Sequence, residues 1–278
     1  MTFQLRCTVR NCTHLLVQNE RGLTCDSGHH FDQAKEGYWS LLQPQDRKSK
    51  TPGDAESAVL ARHRWLQRGH HGGLVEALQP WTCKALAPGS SSVPRTIDLG
   101  CGEGSFGRAL FSDQASSFCG IDLSKKAIKI ASRAWPDATW VLANADRFLP
   151  VADESVDQVI SLFGRRPVAE IGRALANNGT CIVAVPGEED LIELREQAQE
   201  SGHRRSRWEM VVEEMSSAGL QCVEHKQWKH QVDLSPDAVA DAMAMTYRAV
   251  RHSQQARLDA ITTEIKVTLS ADLILFRR

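Results

Sequence analysis

"TIDLGCGEGSFGRAL", residues 96–110, decides how the rest of the chain is read. An apolar run of strand type carries Asp98 near its end. Gly100, Gly102 and Gly104 follow at alternate positions, and a helical pattern begins directly after them. Glycines let a backbone turn sharply and come close to a ligand, and open α/β sheets bind small molecules at the carboxyl ends of their strands. An ordinary strand-to-helix turn is the competing reading of such glycines.

Outward from this loop, the strand-like segments "RTIDLG", "SFCGIDL", "ATWVLA", "DQVISLF", "TCIVAVP", "LQCVEHKQW" and "ADLILF" recur down the chain. Helical patterns such as "KKAIKIASRAW", "VAEIGRALAN" and "DLIELREQAQE" fall between most of them. Alternation of this kind predicts right-handed crossovers and an α/β, Rossmann-like core with a seven-stranded, mainly parallel sheet covered on both faces. Upstream, Val59, Leu60, Leu66, Leu74, Val75 and Leu78 recur at helical spacing with a break at Gly72 and Gly73. The polar, proline-broken "QPQDRKSKTPGD" reads as a linker. The expected division is a front module over 1–42, a linker over 43–56 and the core over 57–278.

The totals narrow the classes. A chain of 278 residues with 42% hydrophobic composition can bury a full core. A net charge of −1, from 33 basic and 34 acidic residues, does not advertise nucleic-acid binding, but phosphate affinity comes from local clusters rather than the sum. No apolar run approaches the roughly 20 residues of a membrane span, and "MTFQLRCTVRNC" lacks a secretory pattern. A soluble, cytoplasmic protein without a membrane partner is expected. Three of the eight cysteines precede residue 26 while Cys83, Cys101, Cys119, Cys181 and Cys222 are scattered, which argues for reduced thiols and one metal site.

Asp122, in "GIDLS", ends the second strand about 20 residues beyond the glycines, where a carboxylate can accept both ribose hydroxyls of a nucleoside cofactor. That fits NAD and S-adenosylmethionine alike. Asp98 at the strand end, the tight D-x-G-x-G-x-G spacing and Ser105 in place of a third dinucleotide-type glycine favour the second. On these residues the chain resembles the class I S-adenosylmethionine-dependent methyltransferases. The resemblance covers roughly residues 95–187, including "SVDQVISLF" and "VAEIGRALANNGTCIVAVPG". It implies that Ala145 and Asp146 of "ANAD" hold the adenine, and that Leu123 beside Asp122 joins the cofactor-binding set.

At the front, four residues separate Cys7 from Cys12 and three separate Cys25 from His29, both gaps of structural zinc sites. His30 is an alternative fourth ligand and His14 a remoter one. Four such ligands leave no position for water, so the metal is read as structural. A module this small gains its stability from the ion.

"FDQAKEGYWSLL" follows directly, with Phe31, Asp32, Ala34, Lys35, Glu36, Gly37, Tyr38, Leu41 and Leu42, and then Gly53, Asp54, Arg62, Gly69 and His70. With the cysteines and the core, these resemble the bacterial 23S rRNA guanine-N1 methyltransferase family over essentially the whole chain. The first cysteine gap is two residues longer than in the family's usual pattern. His71 stands where members carry an aromatic, and Asp190 where they commonly carry histidine.

The resemblance implies attack of guanine N1 on the sulfonium methyl group, with a 23S rRNA hairpin as partner. A homodimer is one assembly it allows. The base pocket is expected near Ser161, Leu162, Phe163 and Pro167, with Phe163 either stacking on the base or serving the core. Glu188 and Asp190 could take the N1 proton, but a solvated helix start explains them equally well, so no base is assigned. RNA contacts are expected from Arg47, Lys48 and Lys50; from Arg62, Arg64 and Arg68; from Arg165 and Arg166; and from Arg204, Arg205 and Arg207. Two readings compete: a small-molecule methyltransferase with a zinc appendage, and an RNA-binding factor that holds the cofactor without using it.

Overall fold

The computed structural model describes residues 2–46, 53–82, 93–198, 207–246 and 262–278. Three short strands, β1 (Val17–Asn19), β2 (Gly22–Thr24) and β3 (His30–Phe31), form an antiparallel ribbon at the front. A fourth strand, β4 (Trp39–Ser40), leaves that ribbon for the main sheet. Helices α1 (Glu56–Gln67) and α2 (Gly72–Thr82) come next.

The core then alternates through β5 (Thr96–Leu99), α3 (Ser105–Phe111), β6 (Phe118–Asp122), α4 (Lys125–Ala134) and β7 (Thr139–Leu142). It continues through β8 (Val156–Leu162), α5 (Val168–Ala174) and β9 (Leu175–Pro186). Helices α6 (Ile192–Ala198) and α7 (Trp208–Ser216) precede β10 (Gln221–Leu234), and α8 (Pro236–Thr246) precedes β11 (Ile265–Arg277).

The main sheet runs β10-β11-β9-β8-β5-β6-β7-β4. Pairing is parallel from β4 to β9 and antiparallel where β11 joins β9 and β10 joins β11. Seven of these strands are the ones the alternation predicts. The eighth is Trp39 and Ser40, registered on Val141 and Leu142; two residues are too few for any periodic signal. A second difference lies at α5. The helical pattern reaches Asn177, but the helix stops at Ala174 because Leu175 already pairs with Val156.

Both faces of the sheet are covered, as strict alternation requires. Trp140 and Leu142 pack with Phe118, Trp135 and Ile160 on one side. Val141 and Ala143 pack on the other with Ile97, Leu99 and Val159. The ribbon belongs to this second layer: Leu5, Leu23, Phe31, Trp39 and Leu41 share its cluster with Leu149 and Val151, and Leu5 bridges Val151. Burial against the sheet supplies what a ribbon of this size cannot bury by itself.

Strand β5 has β6 on one side and β8 on the other, so the strand order reverses there. A crevice opens outside the carboxyl ends of these strands, where ligands of doubly wound sheets bind.

Candidate active site and metal centre

The front ribbon gathers Cys7, Cys12, Cys25 and His29 so that their ligand atoms all lie within 4.8 Å of one another. Cys7 Sγ and Cys25 Sγ each stand 3.4 Å from His29 Nδ1, and Cys12 Sγ stands 3.8 Å from Cys25 Sγ. A tetrahedron with zinc–sulfur bonds of about 2.3 Å has sulfur–sulfur edges of about 3.8 Å, so the donor set fits the ion. Two turns bring the ligands together. Cys12 N–H donates to Val9 O, with Asn11 in the left-handed region (φ 61), and Gly28 N–H donates to Cys25 O (φ 79). The longer cysteine gap is thus absorbed by a turn that asparagine tolerates.

His30 is not in this group. It stands in β3 opposite Thr24, with its Nε2 2.9 Å from Arg21 O. His14 lies beside Asp26 at the surface. Burial pushes the Cys7 thiol up to about 12, so metal binding there must displace a proton.

In the loop after β5 four amides are already spent. Gly100 and Cys101 both donate to Ile121 O, Gly102 donates to Asp122 Oδ2 at 2.9 Å, and Gly104 donates to Cys101 O. A pyrophosphate needs amides like these free. The loop therefore presents glycine surface and neighbouring side chains rather than a fan of N–H groups. Gly100, Gly102 and Gly104 all have positive φ (69, 57 and 80), which accounts for the residue type.

A cleft of about 480 Å³ lies above the loop, within the usual range for small-molecule sites. Its floor is Gly100, Gly102 and Glu103, with Asp122, Leu123 and Ser124 beside them. Asn144, Ala145 and Asp146 from the loop after β7 form one end, and Phe163, Gly164 and Arg165 from the loop after β8 form another. Arg62 and Val59 of α1 and Met245 of α8 close the remaining side.

The cleft thus brings together Gly100, Gly102, Asp122, Leu123, Ala145 and Asp146 of the residues expected from sequence. Asp98 and Gly104 do not line it. Asp98 is buried beneath the loop; burial raises its pKa to about 8 against the pull of Arg62, with Asp122 and Glu103 pushing the same way as burial. Gly104 faces the core, where a Cβ would stand 2.5 Å from Trp140 Cη2. Asp122 accepts from Gly102 N–H with one oxygen and from Ser124 N–H, at 2.6 Å, with the other. Burial raises its pKa and those amides oppose the rise. A carboxylate oxygen has capacity beyond a single donor, so a ribose diol can still be accepted. Asp146 Oδ2 is paired with Arg165 Nη1 at 3.1 Å.

Phe163 lines the cleft with a left-handed backbone (φ 61), its ring 6.1 Å from that of Phe106. Pro167 also lines the cleft, but Ser161 and Leu162 are buried below it. Asp190 is outside the cleft lining, and its expected solvated helix start is not what forms. Its Oδ1 accepts from Ser270 N–H at 3.0 Å, and burial raises it to about 6. Glu188 is exposed.

Among the basic clusters, Arg64 and Arg68 are held by the buried carboxylate of Asp241, at 2.6 and 2.5 Å. They lock α1 to α8 and are spent structurally. Arg166 pairs with Glu214, and Arg165 is the exposed cation at the cleft rim. Arg47, Lys48, Lys50, Arg204 and Arg205 lie outside the described residues, and Arg207 is exposed before α7. Sequence reasoning passed over the pairing of Arg62 with Glu103 across the cleft, 3.6 Å from Nε to Oε2. The glutamate was in plain view between two glycines, but its partner precedes it by 41 residues. No helix among the described residues is long and apolar enough to cross a membrane.

Comparison with known proteins matches residues 97–179 to a family described as a methyltransferase domain, and residues 5–50 to the zinc-ribbon family described as RlmA, N-terminal. The 23S rRNA (guanine(748)-N(1))-methyltransferase of Streptomyces fradiae is 33% identical over 191 residues, spanning 68% of this chain and 66% of that protein. A Micromonospora griseorubida protein carrying a 23S rRNA guanine-N1 methyltransferase name is 32% identical over 206 residues, 68% of each chain. The crystal structure of the YcgJ protein from Bacillus subtilis, 17% identical, aligns with a TM-score of 0.54 over 73% of this chain and 98% of its own. At that identity the likeness concerns the fold.

Proposed function

Because the chain belongs to the 23S rRNA guanine-N1 methyltransferase family, as its match across 68% of the Micromonospora relative shows, we propose that it transfers a methyl group from S-adenosylmethionine to N1 of a guanine in a 23S rRNA hairpin. The observation that carries this reading is the joining, in one packed unit, of a zinc-ribbon quartet and a nucleoside-sized cleft whose loop amides are already satisfied.

When bound, the cofactor supplies an electrophilic methyl on a sulfonium. Asp122 would accept the ribose hydroxyls, and Leu123 would lie against the nucleoside. Ala145 would meet the adenine edge through its backbone and Asp146 its exocyclic amine. Gly100 and Gly102 permit the close approach, while Asp98 and Gly104 shape the loop from below. The base would enter past Phe163 and Pro167, displaced from its stack as enzymes acting on bases require. Positioning N1 in line with the methyl can supply about 7 to 11 kcal/mol of the acceleration.

Cys7, Cys12, Cys25 and His29 would hold zinc in a closed structural site. We assign RNA recognition to residues 1–42, a linker to 43–56 and the transfer itself to 57–278. The docking of Leu5, Trp39 and Leu41 on the sheet supports a ribbon held at a fixed place beside the cleft. Incubation with labelled S-adenosylmethionine and unmodified 23S rRNA, followed by nucleoside mass spectrometry, tests the reading. 1-Methylguanosine is the expected product; label confined to small metabolites would overturn it.

A further inference from the structure

By composition residues 43–56 are a linker, yet their second described end stands in the cleft. Gly53 and Asp54 line it, and Ala58, Val59 and Arg62 of α1 continue the same side. Gly53 has φ 90, and a Cβ on it would stand 2.9 Å from both Cα and N of Ser124. The chain therefore lies backbone against backbone on the loop after β6, at the residue whose amide Asp122 holds. Only glycine allows that conformation and that approach together. A second tie follows at once, because Glu56 pairs with Lys126 at the start of α4. Residues 53–56 are thus a built wall of the cleft.

Asp54 brings an exposed carboxylate to this wall. Burial raises the pKa of Asp122, and the charge of Asp54 adds to the rise while the amides of Ser124 and Gly102 oppose it. The two acids therefore stand within electrostatic reach of each other on the same part of the cleft. Each Asp122 oxygen already accepts one backbone amide, whereas a ribose presents two neighbouring O–H donors. Like charges side by side disfavour each other. A diol between them gives each carboxylate a charge-assisted hydrogen bond and eases that repulsion.

We propose that the end of the segment joining ribbon to core belongs to the nucleoside site: Asp54 accepts one ribose hydroxyl beside Asp122, and Gly53 sets its distance by resting on Ser124. The inference rests on the reading of the cleft as an S-adenosylmethionine site. It makes Asp54 a specificity residue for ribonucleosides and Gly53 a positioning residue that acts through it. The α/β core from β5 onward then holds only part of the ribose site, and the chain that leaves the zinc ribbon supplies the rest.

Calorimetry on the full chain with two ligands separates the outcomes. The first is S-adenosylhomocysteine, and the second is its 2′,3′-dideoxyribose analogue, which keeps the adenine and the amino-acid end. Asp54→Asn should weaken the first about three- to tenfold, since the amide keeps an acceptor but loses the charge. It should leave the analogue within about two-fold. Gly53→Ala should weaken S-adenosylhomocysteine by a similar factor. Gly219→Ala is its control: it places alanine at φ 80 with nothing within 4 Å of its Cβ, carries the same conformational cost and should bind like wild type. Equal losses for both ligands in Asp54→Asn, no loss in Asp54→Asn or in Gly53→Ala, or a loss in Gly219→Ala matching that in Gly53→Ala would overturn the proposal. A wild-type chain that binds neither ligand would overturn the cofactor reading and this role of Asp54 with it.

Discussion

Gly104 offers the sharpest test of how the glycine loop is built. Its spacing suggests contact with the cofactor, but its position is that of a packing residue. Alanine there must adopt φ 80, a left-handed conformation that costs an L-residue about 1–2 kcal/mol. Its Cβ would also stand 2.5 Å from Trp140 Cη2 and 3.1 Å from Ala131 Cβ. Trp140 is fully buried, and its indole N–H donates to Trp135 O at 2.9 Å, so the ring has nowhere to retreat. Overpacking of this kind costs about 1–3 kcal/mol. Gly104→Ala is therefore expected to lose about 2–5 kcal/mol, a melting shift of roughly 5–15 °C for a chain of this size. The clash resides in a single ring atom group, so Trp140→Phe should recover the overpacking part. In a double-mutant cycle the two substitutions should couple favourably by about 1–3 kcal/mol, read by chemical denaturation. In the variant carrying both substitutions, S-adenosylhomocysteine affinity should be near that of Trp140→Phe alone. Gly104→Ala that melts like wild type yet loses cofactor affinity would refute the packing account.

Three further outcomes follow from the same geometry. His29→Ala should release the bound metal as measured by elemental analysis of the purified chain, while His30→Ala should keep it, because only His29 lies among the three thiols. Asp241→Asn removes the carboxylate that holds Arg64 and Arg68. Losing one partner of a fully buried pair costs about 3–5 kcal/mol, but these guanidiniums are 56% and 29% exposed, so about 1–2 kcal/mol is expected once solvent screening is allowed for. Burial alone would raise Asp241 and the two arginines overcome it. Its folded pKa is thus depressed, and its stabilisation is present above the ordinary carboxylate pKa and lost as pH falls through the folded value. Denaturation at a series of acid pH values should show that loss in wild type and not in Asp241→Asn. Asp190 has the opposite sign: its pKa is raised from 3.8 to about 6, so its contribution falls as pH rises through that window. Asp190→Asn keeps an oxygen for Ser270 N–H and should flatten the fall; an unchanged stability profile between those values would count against a buried carboxyl.

The strands were legible because each side of the sheet is buried, leaving apolar runs such as "TCIVAVP" bounded by turn residues. The glycine loop was legible because three positive-φ positions in five residues leave few other residue types. What spacing could not convey was which atoms face the ligand. Asp98 and Gly104 share the motif with Gly100 and Gly102, yet the strand directs the first beneath the loop and the helix turns the last onto Trp140. Arg64 and Arg68 look like RNA contacts in "RHRWLQR" because their partner, Asp241, lies more than 170 residues away. Charge runs disclose a surface only when no distant carboxylate claims them. Register likewise separates His29 from His30: pairing of β2 with β3 sets His30 opposite Thr24 and leaves His29 at the ribbon's end, among the thiols.

The eighth strand changes how the front ribbon relates to the cleft. β4 lies on β7, and the loop that leaves β7 carries Asn144, Ala145 and Asp146. The segment that leaves β4 is tied to that same loop, since Asn144 Nδ2 donates to Asp46 O at 3.0 Å and Arg147 pairs with the Asp46 carboxylate. The ribbon and the end of the cleft lined by Asn144, Ala145 and Asp146 are thus two ends of one hydrogen-bonded unit. The metal quartet spans residues 7–29; Leu5, Trp39 and Leu41 flank it and share one buried cluster with Leu23 inside it and with Cys7, Cys12 and Cys25 themselves. Metal ligands and docking residues accordingly meet in one buried layer. The ion fixes the shape of the ribbon's tip, and the flanking apolar residues fix where that tip stands relative to the cleft. A ribbon mounted this way needs no contact with the cleft's floor to be held in register with it, because the hydrogen bonds of Asp46 tie the segment that follows the ribbon to the loop after β7.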